Sequence, residues 1–524
     1  MRISENQGRA QLIAIAMLCA LLLIWVWATA PGPRGSDQYW YSSYVDQLRL
    51  HGRPASNYVT PSAWASEFPP PPVHHIPAVY AAYAFGLLGL SSYWSWQASN
   101  LLFVAVGLFC FYRAVRVRLR AEFALWATVL AASFPLTFWV AANPLSEASL
   151  YACGGVMALG FALRQGPRRT TGAALVLASA TIMTITRQNH VILLVGLAIA
   201  FFASASDWRG RISIGGMAAL CLAMLLLRER YLPTYPTVGG IPTLLMTPAK
   251  TVDFGGTPAL FATSPAPFDL RAWAGGAVRN LLDPVLVGPC VALGLLLLWA
   301  RRTGSALLGS DASVLLLLSI ATMVATAAVF QFQFRYWSGL YLPCALVLTN
   351  LASSAQQLST RARAVALASA VLLLAATGGM AFKVRADALG SVRQRAQIAQ
   401  FAQQNLPAGA SLMVWDAWGI RFAYELSGTR IVLASTALQS GDEIAQAMRR
   451  FRVGVVLVRR SSQRGMELAA SMRLRPLPPV ESSDPPGDGE FAAFGAELPE
   501  APDAGSGRSS VDAGEARPAR ITGQ

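Results

Sequence analysis

Long apolar runs separated by short clusters of arginine constrain this chain more than any other feature of its sequence. A helix needs about 20 apolar residues to cross a bilayer. Eleven stretches approach that length: 11–30, 97–112, 121–142, 148–163, 173–186, 190–206, 212–227, 284–300, 312–330, 339–352 and 364–382. Only 13% of the 524 residues are charged, against roughly 25% in soluble proteins, so the charge is too sparse to cover a water-soluble globule. The net charge of +15 would suit a nucleic-acid binder if it lay along one surface. Instead it sits at the ends of the apolar runs, as it does where basic residues mark the cytoplasmic side of a membrane. The expected fold is a polytopic α-helical membrane protein of about eleven spans, with twelve or thirteen as the upper count.

The arginines also set the orientation. Arg113 to Arg120, Arg164 to Arg169, Arg209 and Arg211, Arg301 and Arg302, and Arg361 and Arg363 fall at every second connection. If these are cytoplasmic, the outer connections are 31–75, 143–147, 187–190, 228–283 and 331–338, with everything after 382 outside. This parity holds if the Tyr-rich stretch 76–94 does not cross, and it is read as an interfacial or re-entrant segment. The first run is too long for a signal-peptide core, so it is expected to remain as a span. The six cysteines lie in or beside apolar runs without metal or disulfide spacing, as small hydrophobic residues do.

After Lys383 the pattern changes to short β-rich runs with a helix between them. In that helix Ser440 is placed to cap and Glu443 to complete a capping box. The expected organisation is a membrane domain, 1–382, with outer loops 31–75 and 228–283. A soluble extracytoplasmic α/β domain, 383–497, follows, and then a disordered Pro/Gly/Ser-rich tail, 498–524.

Candidate chemistry concentrates at the outer ends of the spans. Loop 31–75 holds Asp37, Glu67, His74 and His75 among aromatics, and its "YSSYVDQLRLHG" is amphipathic, with Tyr44, Leu48 and Leu50 on one side. Asp37 reads equally as a helix N-cap or as a catalytic carboxylate. Glu147 opens a span, where an ionisable group is costly unless it is paired or used. Arg187 and His190 lie in an outer turn, and an outer arginine there implies an anionic partner. Arg335 and Tyr336 in "QFQFRYW" place a guanidinium fork at the membrane edge, suited to phosphate or to interfacial anchoring. The long loop adds Arg271 and Arg279. No P-loop, dinucleotide fingerprint, zinc spacing or G-x-S-x-G motif occurs, so nucleotide chemistry is unsupported. Carboxylates and arginines gathered at a lipid boundary suit transfer of a group from a lipid phosphate.

Several motifs occur in a telling order: an opening span, a loop aspartate, a Tyr-rich segment ending "LRLHG", then "PPPP", "YAFGLLG", "NPLSEASLYACGGVMALGFAL", "FRYWSGLYLPCALVL" and "FAQQNLPAGASLMVW". In this order the chain resembles the GT-C glycosyltransferases, and among them the protein O-mannosyltransferase and lipid A aminoarabinose transferase branch. The resemblance runs to about residue 460. It implies a glycosyltransferase of a bacterial inner membrane, active on the outer face, that moves a hexose or pentose from a polyprenyl-phosphate donor to a hydroxyl of lipid A, a surface glycan or a protein. Its other partners would be membrane lipids, and no nucleic acid is implied.

The resemblance gives Asp37 the role of general base, with Glu67 or Glu147 as a second carboxylate. Arg187 and Arg335 would bind the donor phosphate, with Arg271 and Arg279 behind them, and Tyr39 and Tyr336 would stack on sugar or isoprene. Many relatives carry a second acid beside the aspartate, and some need a divalent cation there. Here the neighbour is Gln38, which argues against a metal, and no cofactor is implied. A glycan polymerase or ligase, and a lipid or solute transporter, are the rival readings.

Overall fold

The computed structural model describes residues 5–34, 36–52, 57–59, 61, 76–143, 146–187, 190–205, 207–231, 237–238, 241–242, 270–302, 309–329, 334–354, 360–417, 421–480 and 491–496. The described residues of each of the eleven apolar runs lie largely in helix. Among the described residues, four helices are long and apolar enough to cross a membrane: Gln11–Thr29, Ser92–Arg116, Trp208–Leu227 and Ala368–Asn405. Their lipid side is apolar, with Leu12, Leu23, Phe109, Leu220, Leu372 and Phe382 exposed.

The run 121–142 is two helices, α5 (Ala121–Ser133) and α6 (Pro135–Ala142), bent by 61°. Pro135 excludes its predecessor from the helical region, and Phe134 is extended at φ −70°, ψ 137°. The single span expected there is therefore a broken one.

The segment 76–94 is divided as well. Helix α3 (Ile76–Gly86) has 11 residues, about 16 Å at 1.5 Å per residue, too short for a hydrocarbon core of about 30 Å. Residues 92–94 belong to α4 (Ser92–Arg116), which Ser91 caps. Helix α3 packs on α2 (Ser36–His51), with Tyr41, Tyr44, Val45 and Leu48 of α2 in one cluster with Ala78, Val79 and Ala82 of α3 and Trp96 of α4. Leu50, expected on the same side as Tyr44 and Leu48, is exposed.

The bundle core is tight where α4 meets α7 (Glu147–Arg164) and where α7 meets the helix Ser338–Ser354. A Cβ on Gly155 would collide with the Gly107 carbonyl, and one on Gly154 would lie 2.6 Å from the Gly339 oxygen. Small residues let membrane helices approach this closely. The contact draws the start of α7 against the start of the helix at Ser338.

The last apolar run continues without a break as a 46-residue helix, Thr360–Asn405, about 69 Å long. The domain border expected at residue 383 falls inside it. Near the membrane Arg385 donates to the Trp27 carbonyl at 2.8 Å and stacks on the Trp27 ring. Farther along, Ile398 and Phe401 cover one face of a six-stranded sheet.

The strand order of that sheet is Tyr58–Val59, Ile431–Ala434, Ser411–Trp415, Val453–Arg459, Phe491–Gly495, Arg475–Val480. The first four are parallel to one another and the last two are antiparallel additions. Two helices, Gly441–Arg450 and Gln463–Ser471, contribute to the apolar layer on the other face. The capping box expected at Ser440 and Glu443 is present. The edge strand Tyr58–Val59 comes from the connection 31–75, so the sheet is built from two distant parts of the chain. The tail 498–524 lies outside the described residues.

Candidate functional site

The turn from α6 into α7 places a carboxylate at a helix start. Glu147 is the first residue of α7, where the helix dipole favours negative charge, and its side chain is 1% exposed. Two guanidiniums reach it. Arg187, which ends α8 (Arg169–Thr186), donates from Nη2 to Oε1. Arg335, in the short turn Phe334–Trp337, brings Nε to 3.7 Å of the same oxygen. Both arginines also lie over the Tyr336 ring, at 4.7 Å and 5.6 Å from its centroid. His190 precedes α9 (Val191–Ser204) and is buried beside Arg187, with its Nδ1 3.2 Å from the Arg187 carbonyl.

Four residues read separately from the sequence, in three different connections, thus form one cluster with Tyr336. With one carboxylate and two guanidiniums it carries one net positive charge. The second oxygen of Glu147, the Nε of Arg187, the Nε2 of His190 and the hydroxyls of Ser146 and Ser338 are buried, with no hydrogen-bond partner among the described residues. A buried polar group without a partner is costly, so this cluster is built to receive polar company.

Arg34 and Gln38, on either side of the start of α2, are fastened to the same place. Asn143, four residues before Glu147, accepts from Arg34 Nη2 at 2.8 Å and from Gln38 Nε2 at 2.6 Å. The Asn143 carbonyl accepts from Asn100, and Gln97 holds the Ala142 carbonyl at 3.0 Å. Asp37 lies between these anchors, in the first turn of α2; its side chain is outside the described residues. Tyr41 of α2 is near enough to act electrostatically on Arg187.

On its other side α2 meets the short helix Arg421–Glu425 of the C-terminal sheet domain. Tyr39 packs its ring 6.1 Å from that of Tyr424, Gln47 donates to the Ser427 carbonyl at 2.6 Å, and Arg395 pairs with Glu425 at 3.7 Å. Burial raises the Glu425 carboxyl to about 7, and Arg395 only partly opposes this.

No family model matches the chain, and neither does any curated protein. Solved structures do. The crystal structure of ArnT from Cupriavidus metallidurans bound to undecaprenyl phosphate superposes with a TM-score of 0.56 at 14% identity, over 92% of this chain and 97% of that one. The apo state of the same protein gives 0.54 at 14% identity, with the same coverage. A looser likeness, with a TM-score of 0.44 and 12% identity, is to the apo oligosaccharyltransferase of Archaeoglobus fulgidus, over 85% of this chain and 69% of that one. The chain has the GT-C fold, in the arrangement seen in ArnT.

Within this GT-C fold the candidate residues divide clearly. Glu147, Arg187, His190, Arg335 and Tyr336 come together. Glu147, expected as a catalytic carboxylate, is the buried partner of two arginines through one oxygen, Oε1. Tyr39, expected to stack on substrate, has its ring beside that of Tyr424. Arg271 is exposed on the helix Leu270–Leu281. Arg279 is on the same helix, with its side chain outside the described residues. Glu67, His74 and His75 also lie outside them.

Among the described residues, no group of three or more His, Cys, Asp or Glu side chains could hold a metal ion. The position beside Asp37 that would carry a second acid holds Gln38, whose amide is committed to Asn143. Sequence reasoning passed over the amides Gln97 and Asn100 and over Arg34. The available signal was that polar side chains within or at the end of apolar runs need partners.

Proposed function

We propose that this chain transfers a sugar from a polyprenyl-phosphate donor to a hydroxyl of an envelope acceptor on the outer face of a bacterial inner membrane. In this reading the eleven helical runs are the spans and the C-terminal sheet domain is extracytoplasmic. The observation that carries it is the buried Glu147–Arg187–Arg335 cluster at one end of the bundle, within the GT-C fold. The nearest geometry among the structures above is that of a protein crystallised with undecaprenyl phosphate.

The reaction is an inverting displacement. The acceptor oxygen forms a bond to the anomeric carbon while the bond from that carbon to the phosphate oxygen breaks, and the electron pair leaves with the phosphate. Asp37, in the first turn of α2, takes the proton of the attacking hydroxyl. The phosphate is a good leaving group and needs charge stabilisation rather than a proton. Arg187 and Arg335 supply it, already oriented by Glu147 and Tyr336, so little reorganisation is needed as the charge develops. Glu147 thereby acts through the arginines and not on the sugar. The amide anchors Gln38 and Asn143 hold the Asp37 turn against this cluster.

Mass spectrometry of envelope glycolipids and glycoproteins, with and without the gene, identifies the sugar and the acceptor together. Complementation with Asp37→Asn should give a protein that inserts normally but loses transfer by about 100-fold or more, the usual scale for a general base. Transfer at the native rate would remove Asp37 from that role. An unchanged envelope in the absence of the gene would remove the function itself.

A further inference from the structure

His190 is buried next to a charged pair. Its hydrogen bonds among the described residues go to the backbone of Arg187. The Arg187 carbonyl accepts twice from it, from the main-chain N–H at 3.1 Å and from Nδ1 at 3.2 Å. Arg187 has left the helix at φ −146°, ψ 116°, with its own N–H held by the Met183 carbonyl at 2.7 Å. Its main chain is thus pinned from both sides at the point where the side chain must turn toward Glu147.

A carbonyl can only accept, so Nδ1 carries the ring proton and Nε2 is bare. Nε2 lies close to Gly339, where an added Cβ would be 3.5 Å from it and would overlap Met183. That nitrogen is buried and has no hydrogen-bond partner among the described residues. A second ring proton would bury a cation beside a guanidinium, with no carboxylate of its own, which burial and Coulomb repulsion both oppose.

We infer that His190 is a positioning residue: through its Nδ1–H bond to the Arg187 carbonyl it aims that guanidinium, and as a neutral ring it keeps the cluster at one net positive charge. The inference rests on the reading that Arg187 faces the donor phosphate. That charge matches the substrate. A polyprenyl-phosphate sugar is a phosphodiester with one negative charge, whereas the departing polyprenyl phosphate is a monoester that approaches two, its second ionisation lying near pH 6. One net positive charge neutralises the incoming donor. A charged residue at 190 would match the product instead and slow its release.

The test uses the full-length protein in lipid nanodiscs with undecaprenyl phosphate as the probe. His190→Leu removes the donor to the carbonyl and should weaken binding by about three- to tenfold, the worth of one hydrogen bond. His190→Asn places an amide N–H near the position of Nδ1 and should bind within about threefold of native. If His190 only filled space, both variants would lose thermal stability and affinity together. Equal, native-like binding by the Leu variant overturns the inference.

Ring ¹⁵N signals of His190 in the native protein are independent of the lipid. A protonated Nδ1 with a bare Nε2 at pH 7 supports the proposal; the opposite tautomer or a charged ring overturns it. If the native protein fails to bind undecaprenyl phosphate, the lipid-phosphate reading of the site falls. The ¹⁵N measurement still decides the role of His190.

Discussion

Glu147 is where one residue most affects stability and chemistry together. A carboxylate with 1% of its side chain exposed is tolerated because two arginines reach it, and removing one member of a buried pair leaves the rest uncompensated. Glu147→Gln should therefore destabilise the bundle by about 3–5 kcal/mol, read as a lowered melting temperature in detergent. The double change Glu147→Gln with Arg335→Gln should recover part of that loss, because it also removes one of the two unbalanced charges. Additive losses would show that Arg335 and Glu147 are not energetically coupled. Reading the sequence singled out both residues, because an acid opening a span and an arginine on the outer side each break a local rule. It did not reveal that they are partners, since they lie 188 positions apart and no local pattern links them.

At the scale of elements, local chemistry and packing can be separated. The helix Gly441–Arg450 starts where its sequence says it should. Ser440 accepts from the Glu443 N–H at 3.3 Å, and Glu443 accepts from the Ser440 N–H at 2.7 Å. Ser440→Ala should cost the C-terminal domain about 1 kcal/mol, measurable as a shift in its chemical-denaturation midpoint; an unshifted midpoint would mean the helix start is held by tertiary contacts. The break between α5 and α6 was equally present in the sequence as Pro135. It was hidden by the unbroken hydrophobicity of 121–142, because hydropathy reports affinity for lipid and is blind to a missing N–H. Helix α2 illustrates the opposite case. Its periodicity correctly buried Tyr44 and Leu48, but Tyr39 and Gln47 face a domain that begins more than 300 residues later, and periodicity carries no information on that.

At the scale of the whole molecule, the contact between α2, the 46-residue helix and the C-terminal domain should respond to pH. Burial lifts the Glu425 carboxyl from an ordinary 4.5 to about 7, against the opposing effect of Arg395 at 3.7 Å. Asp46, Tyr39, Tyr424 and Tyr93 are the other titratable groups around it, with Arg34 beyond Arg395. A carboxyl raised in the folded state binds more protons there than in the unfolded chain. Its contribution to stability is therefore complete below about pH 4.5 and is lost as pH rises through about 7. Thermal unfolding of the full-length protein from pH 5 to pH 8 should show this decline, and Glu425→Gln should flatten it and raise stability above pH 7. An unchanged slope in that variant would assign the pH dependence to other groups.

What could be read from the chain alone was governed by local composition: the helical runs, the capped helix and the β-rich runs of the C-terminal region. Hydrophobic length, charge placement and capping act over a few residues, and a linear sequence displays them directly. The clustering of Glu147, Arg187, His190 and Arg335, the tether of the Asp37 turn through Asn143, and the edge strand Tyr58–Val59 lent to a distant sheet were settled in three dimensions. Each depends on which helices approach one another, and that is set by glycine contacts such as Gly107 with Gly155, whose partners come together only when the bundle closes.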